Sequence, residues 1–306
     1  MTRPRLRIVT GKGGVGKTTV ATALALAEAG RGQRTLLAEI NGRDRVASVL
    51  GIPPVGASIC QAGERLSVVD MNPRAAIHEY ALMVFRFEAI VHAVFDNRVV
   101  RRFLALIPSL GELVMLGKVW FHIQEVQDDR PRFDVVVLDA PSTGHAMSML
   151  RAPAMVQHAI PPGPLRDITR DIIALISDPE RTHLHVVTTP EEMPVTEAVE
   201  LECAAAEVLQ MKLGFSVINC RLGPLSAAAL EKLEASSDPE VRQVVATLRQ
   251  RETRRLQGEE QLRRLPAHML EAAVGLPRLL DALPGRAGVK RLAELLLPAL
   301  EREEQP

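Results

Sequence analysis

The chain has 306 residues, and its 37 basic side chains are matched by 37 acidic ones; the length suits one large α/β domain or two small ones, and the balance excludes a global attraction to nucleic acid or anionic membrane. Arginine outnumbers lysine 31 to 6, a bias we attribute to a GC-rich genome, and Cys60, Cys203 and Cys220 are too dispersed for a disulfide framework, a zinc site or an iron–sulfur site. The opening MTRPRLRIVTGKGG has no apolar signal core and no run of about 18 apolar residues follows, so a soluble, cytoplasmic protein is expected, reaching a membrane only through a partner.

In chain order, RLRIVT is a short apolar strand, GKGGVGKTT spans Gly11 to Thr19, and VATALALAEAG is a helix ending at Gly30. The middle segment satisfies GxxxxGK[ST] in the strand–loop–helix setting which that motif requires. Gly11, Gly13, Gly14 and Gly16, with Val15 between them, let the backbone turn its N–H groups inward around a polyphosphate, and the helix beginning near Lys17 adds its positive end. Lys17 would reach the β- and γ-phosphates of ATP, the Thr18 hydroxyl would take a magnesium coordination position, and Thr19 completes the binding segment. Lys12 has no evident role within this one loop.

TLLAEI, LSVVDM, FDVVVLDA, THLHVVTT, GFSVINC and, more weakly, LPAHML are further strand signals separated by helical stretches. The alternation predicts a mainly parallel sheet covered by helices on both faces, with chemistry at the strands' carboxyl ends. Between Pro73 and Asp128 it stops, and Ile77, Tyr80, Ala81, Val84, Phe87, Val91, Val94 and Phe95 take helical spacing; a second helical stretch runs from Pro153 to Ser177, broken at Pro161 to Pro164. We therefore expect one P-loop domain over 1–306 with a helical subdomain inserted at about 73–128 and 153–180. Most aromatics lie there (Phe85, Phe87, Phe95, Phe103, Trp120, Phe121), with Met83 and Met115, and form either ordinary core or a groove for an apolar protein client. Cys203 and Cys220 are expected to be buried, His122 to be an ordinary helix residue like His78, His92 and His158, and the tail from Glu301 to Pro306 to be disordered.

FDVVVLDAPSTGH, Phe133 to His145, is the second strong signal. Asp139 at a strand end beside a P-loop can hold magnesium through water, and Gly144 can swing as the γ-phosphate leaves.

GKGGxGKT resembles the deviant P-loop of dimeric ATPases such as MinD, ParA and the nitrogenase iron protein. DAPSTGH followed by MLRAP, PEEMPVTEA at Pro190 to Ala198, and VIN ending at Asn219 resemble in particular the ArsA/GET-type branch, the arsenite-pump and tail-anchored-protein targeting ATPases. The resemblance spans nearly the whole chain. It implies a magnesium-dependent ATPase that dimerises with itself or a paralogue, with Lys12 crossing the interface to the partner's nucleotide. It also implies adenine recognition by Asn219, flanked by Pro266; with no basic DNA-binding face or basic amphipathic tail in the sequence, no nucleic-acid partner is expected.

Three departures shape the expectation. The family's water-orienting aspartate is replaced by Asn41 in LLAEINGRD; asparagine can hydrogen-bond a water but cannot take its proton, leaving Glu39 and Asp44 as substitute carboxylates. There is no CxxC to join two subunits, and Pro153 to Thr182 is too short for the targeting factors' long methionine-rich insert. The cysteines match none of the pump's metalloid ligands, so His145 is read as a switch residue. The expected function is a nucleotide-gated dimeric switch that hydrolyses ATP slowly and captures a protein client. The alternatives are the energising subunit of an oxyanion efflux pump and the weakly hydrolytic half of a heterodimer.

Overall fold

The structure is a computed structural model and describes residues 5–73, 76, 110–157, 163–278 and 285–304. β1 (Leu6–Gly11) leads through the glycine-rich loop into α1 (Lys17–Gly30), followed by β2 (Thr35–Ile40), α2 (Arg45–Leu50), β3 (Cys60–Gln61) and β4 (Leu66–Met71). Next come α3 (Leu110–Gln124), a small hairpin of β5 (Val126–Gln127) and β6 (Arg130–Pro131), β7 (Val135–Ser142), α4 (Thr143–Gln157) and α5 (Pro164–Ser177). The chain continues with β8 (Thr182–Thr188), α6 (Glu192–Ala204) running into a π turn at Ala205–Leu209, β9 (Lys212–Leu213) and β10 (Val217–Arg221). α7 (Ala227–Glu234), α8 (Pro239–Leu262), α9 (Ala267–Glu271), β11 (Val274–Pro277) and α10 (Arg286–Glu303) complete it.

The main sheet has the order β11-β10-β8-β1-β7-β2-β4-β3, with β9 beside the first half of β8; every pairing is parallel except β3 with β4. Its central strands are buried on both faces because helices cover both, and burial runs uninterrupted along β1, β2 and β8. On one face α3, α4 and α5 share a core with Ile8, Leu36 and Leu138 through Leu116, Met149 and Ile172; on the other, α1 and α10 pack Leu24 and Leu296 against Val9, Leu37 and Val137. Strand order reverses at β1, which is where an open parallel sheet places its ligand crevice.

Six of the seven strand expectations hold, and one is corrected. LPAHML is not a strand: Pro266 starts the helix α9, and Leu265 and Met269, four apart, are both buried, which is helical spacing. The sheet's last strand lies further on, at Val274–Pro277, beside β10. The segment from Glu301 is also corrected, since α10 continues to Glu303 and the Glu303 side chain is 9 % exposed. Cys203 and Cys220 are exposed rather than buried: one lies in the last turn of α6, the other at the outer end of β10 with φ of 56°. His122 is a buried helix residue, whereas His78, His92 and His158 fall outside the described residues, as do Ile77 to Phe103. Within the described part of the helical segment Met115 is core, Trp120 is half-buried and Phe121 is exposed.

A buried ionic cluster ties the two ends of the described chain together. Arg7 on β1 is wholly buried; its Nε donates to Glu28 Oε1 at 2.6 Å, and its Nη1 meets Glu303 and lies 3.2 Å from His185 Nε2. Glu303 Oε1 also lies 3.1 Å from His183 Nδ1 and accepts from the Phe215 N–H at 3.3 Å, while Arg31 grips Glu304 with two hydrogen bonds.

Candidate nucleotide site

The loop after β1 curls over the sheet's switch point. Gly13, Gly14, Gly16, Lys17 and Thr18 form one wall of a cleft of about 640 Å³, whose other walls come from the ends of β2 and β7 and the start of α3. These are the loops expected to hold the chemistry. Lys17 Nζ donates to Lys12 O at 3.0 Å, so the loop closes around its own ammonium; burial lowers the Lys17 pKa, partly offset by Asp139. Val15 is buried beneath the loop and Thr19 lies half-buried in the first turn of α1.

The Thr18 hydroxyl donates to Asp139 Oδ2 at 2.7 Å. Asp139 is 4 % exposed, its Oδ1 has no hydrogen-bond partner among the described residues, and burial raises its pKa against the pull of Thr18 and Lys17. A hydroxyl and a buried carboxylate with an unsatisfied oxygen, at the mouth of a phosphate cradle, fit a hard divalent cation such as magnesium. Thr18 would hold it directly and Asp139 through water, and the cation would offset phosphate charge there. Thr143, whose buried hydroxyl also lacks a partner, follows directly in α4 with Gly144 and the exposed His145, which lines the cleft.

The loop between β2 and α2 bears Asn41, whose side chain is exposed and lines the cleft. Asn41, Arg43 and Asp44 have φ of 50°, 53° and 58°, a left-handed conformation that costs side-chain-bearing residues energy and persists only where neighbours impose it. Asp70 on β4 imposes it by accepting from Gly42 N and Asp44 N, each at 3.1 Å. Glu39 accepts from Val46 N at 3.1 Å and lies against Gly42 so closely that a Cβ there would sit 1.7 Å from its carboxyl carbon. Asp70, Glu39 and Asp139 therefore stand in one row across β4, β2 and β7. Of the two substitute carboxylates, Glu39 is buried beneath the loop, and Asp44 is engaged by Val55 N and Gly56 N at 2.7 and 2.9 Å.

Burial, with the repulsion of Asp139 and Asp70, pushes the Glu39 carboxyl up to about 7 against the Val46 hydrogen bond and Arg45. A carboxyl raised in the fold binds its proton more tightly there than in the unfolded chain. Its contribution is thus fully present below about pH 4.5 and is lost as pH rises through 7. Glu39→Gln should therefore narrow the stability difference between pH 5 and pH 8, by roughly 1–3 kcal/mol in urea titrations; an unchanged difference would place the charge elsewhere.

On the other side of the loop Asn219, buried at the end of β10, donates from Nδ2 to Val15 O at 2.8 Å, and a Cβ on Gly16 would meet that nitrogen at 2.3 Å. A second cleft of about 600 Å³ opens beyond it, lined by Pro190, Glu191, Cys220, Arg254 and Arg278. Pro266 starts α9 and Pro277 ends β11 in register with Arg221, next to the strand that bears Asn219; neither proline lines either cleft. Lys12 points away from the cradle and pairs with Glu197 on α6, both side chains about one-quarter to one-third exposed. Among the described residues no cluster of three metal-ligating side chains occurs, and no helix is long and apolar enough to cross a membrane.

A parallel sheet with a glycine-rich loop at its switch point, Lys17 in the cradle and Thr18 hydrogen-bonded to a strand-end aspartate define a P-loop nucleoside triphosphatase. The chain belongs to the anion-transporting ATPase (ArsA-type) family, whose model matches residues 5–161. It is 29 % identical over 246 residues to the putative ATPase Mb3704 of Mycobacterium bovis and, with the same figures, to ATPase BagA of Mycobacterium tuberculosis, covering 76 % of this chain and 71 % of each relative. It is 26 % identical over 324 residues to the arsenical pump-driving ATPase of Escherichia coli, covering 96 % of this chain and 49 % of that protein, about half its length. The protein is an ATPase.

Proposed function

We propose that the chain is a magnesium-dependent ATP switch in which nucleotide draws two subunits together, each offering Lys12 to the other's phosphates. The observation that carries this reading is the division of labour between the two loop lysines. Lys17 lies half-buried in its own cradle, while Lys12 stands at the rim, partly exposed and paired with Glu197. An exposed pair of this kind is worth about 0–1 kcal/mol, so a triphosphate on a second subunit can displace Glu197. The base is assigned to the Asn219 side of the loop, with Pro277 beside it, and the phosphates to the cleft that holds Asn41 and Asp139. Asn41 can orient water without taking its proton, which favours slow turnover. Client capture is assigned to the segment between Pro73 and Asp128.

Light scattering on the full chain with magnesium, with and without a non-hydrolysable ATP analogue, tests the switch. The expected result is a monomer that doubles in mass with the analogue; a monomer in both states removes it. Lys12→Ala should bind ATP normally yet lose turnover about 10²-fold, the scale for one preorganised charge on a transition state. Turnover equal to the parent would put Lys12 outside catalysis. The E. coli relative's name gives the second reading, an oxyanion pump subunit; antimonite should then raise hydrolysis several-fold, against a structure whose three cysteines lie on separate elements.

A further inference from the structure

Arg45, at the start of α2, has its side chain 66 % exposed and lines the same cleft as Lys17, Asn41 and Asp139. Its Nε is spoken for: it donates to Gly42 O at 3.0 Å and lies 3.5 Å from Glu39 Oε1. Among the described residues no hydrogen bond engages Nη1 or Nη2, so the guanidinium is anchored by one edge and presents the other. Its charge is close enough to lower the pKa of both Lys17 and Asp139. The anchors are themselves rigid: Glu39 is buried and locked on Val46 N, and Gly42 is held by Asp70.

We propose that Arg45 is a catalytic residue that contacts the γ-phosphate of its own subunit's ATP, and that Glu39 is a positioning residue that fixes it. The inference rests on the reading of this cleft as the phosphate site. In the step it serves, water oxygen bonds to the γ-phosphorus, the bond from that phosphorus to the β–γ bridging oxygen breaks with its electron pair leaving on ADP, and the water's proton passes to an oxygen of the phosphate product. Negative charge spreads over the equatorial oxygens during this transfer, and positioned cations do more for it than a base does. Arg45 thus supplies charge stabilisation on the very loop where Asn41 cannot accept a proton. A guanidinium edge also meets two phosphate oxygens at once, which an ammonium cannot.

Single-turnover hydrolysis of labelled ATP and binding of a fluorescent ATP analogue, both with magnesium, test this on the full chain. Arg45→Ala should lower the rate about 10²–10³-fold while leaving affinity within about fivefold, with a melting curve showing that the variant stays folded. Added guanidinium ion should restore part of the rate to Arg45→Ala and none to Lys17→Ala. Glu39→Gln, which keeps an acceptor for Val46 N but puts an amide NH₂ in place of the oxygen facing Arg45, should lower the rate several-fold at unchanged affinity. A rate for Arg45→Ala within threefold of the parent, with Lys17→Ala unable to bind, overturns the assignment of Arg45 alone. Full binding and turnover by Lys17→Ala would overturn the phosphate site itself, and this inference with it.

Discussion

Glu303→Ala lowers the free energy of unfolding by about 3–5 kcal/mol, the cost of leaving a buried charge without its partner. Arg7 is wholly buried, and Glu303 faces it together with His183, His185 and the Phe215 N–H. Removing the carboxylate leaves the guanidinium with Glu28, a ring nitrogen and, 3.9 Å from Nη2, Glu304, in a medium where charge is expensive. The pH dependence has a definite sign. Burial holds the His185 ring down to about 4, and although burial alone would raise the Glu303 carboxyl, His185, His183 and Arg7 hold it well below the usual carboxylate range. Both groups therefore contribute fully at neutral pH. The His185 part fades as pH falls from 6.5 toward 4, and the Glu303 part fades below about 4.5. Urea titrations at pH 7 and pH 3 should show a large difference between the parent and Glu303→Ala at the higher pH and a smaller one at the lower. Equal losses at both would show that packing, not charge, is what Glu303 supplies.

Gly11→Ala abolishes nucleotide binding, and Gly13→Ala does not. An added Cβ on Gly11 would stand 2.0 Å from the Val187 carbonyl oxygen, a backbone atom fixed in β8, and Gly11 has φ of 154°. The strain of that backbone region for a side-chain-bearing residue is about 1–3 kcal/mol, and the overlap adds to it because β1 and β8 would have to part at the base of the loop. Gly13 has open space at the Cβ position and no positive φ, so alanine there meets nothing. Equilibrium binding of a fluorescent ATP analogue, with a melting curve for each variant, separates the two. Parent-like affinity in Gly11→Ala would mean that the loop is not built on the β1–β8 contact.

What could be read from the sequence is what is written in consecutive residues. β1, the loop through Thr19, and β7 ending in Asp139 each carry pattern and chemistry within about a dozen positions, and the fold puts Thr18 and Asp139 in hydrogen-bond contact as those patterns implied. Partners distant in sequence were not legible. Arg7 joins residues 21, 178 and 296 positions away, and none of these charges stands out in a chain rich in both signs. The same limit hid the support of the Asn41 loop, because Asp70 and Glu39 meet it only once β4 and β2 are paired. Arg45 went unnoticed for a different reason: it is one of 31 arginines and belongs to no motif. For Cys203 and Cys220 a general preference for burial was outweighed by position on the outer faces of α6 and β10.

The Arg7 cluster also sets an order of assembly during synthesis. β1 leaves the ribosome well before α10, and the carboxylate that meets its buried arginine is made 296 residues later. Until then a nascent chain can form the Arg7–Glu28 pair and then the His185 contact, while the guanidinium edge meant for Glu303 still faces water. The strand that carries the phosphate loop is therefore sealed only once α10 is made, so a chain truncated before Glu303 holds the complete ATP motif in a body that has not closed behind it.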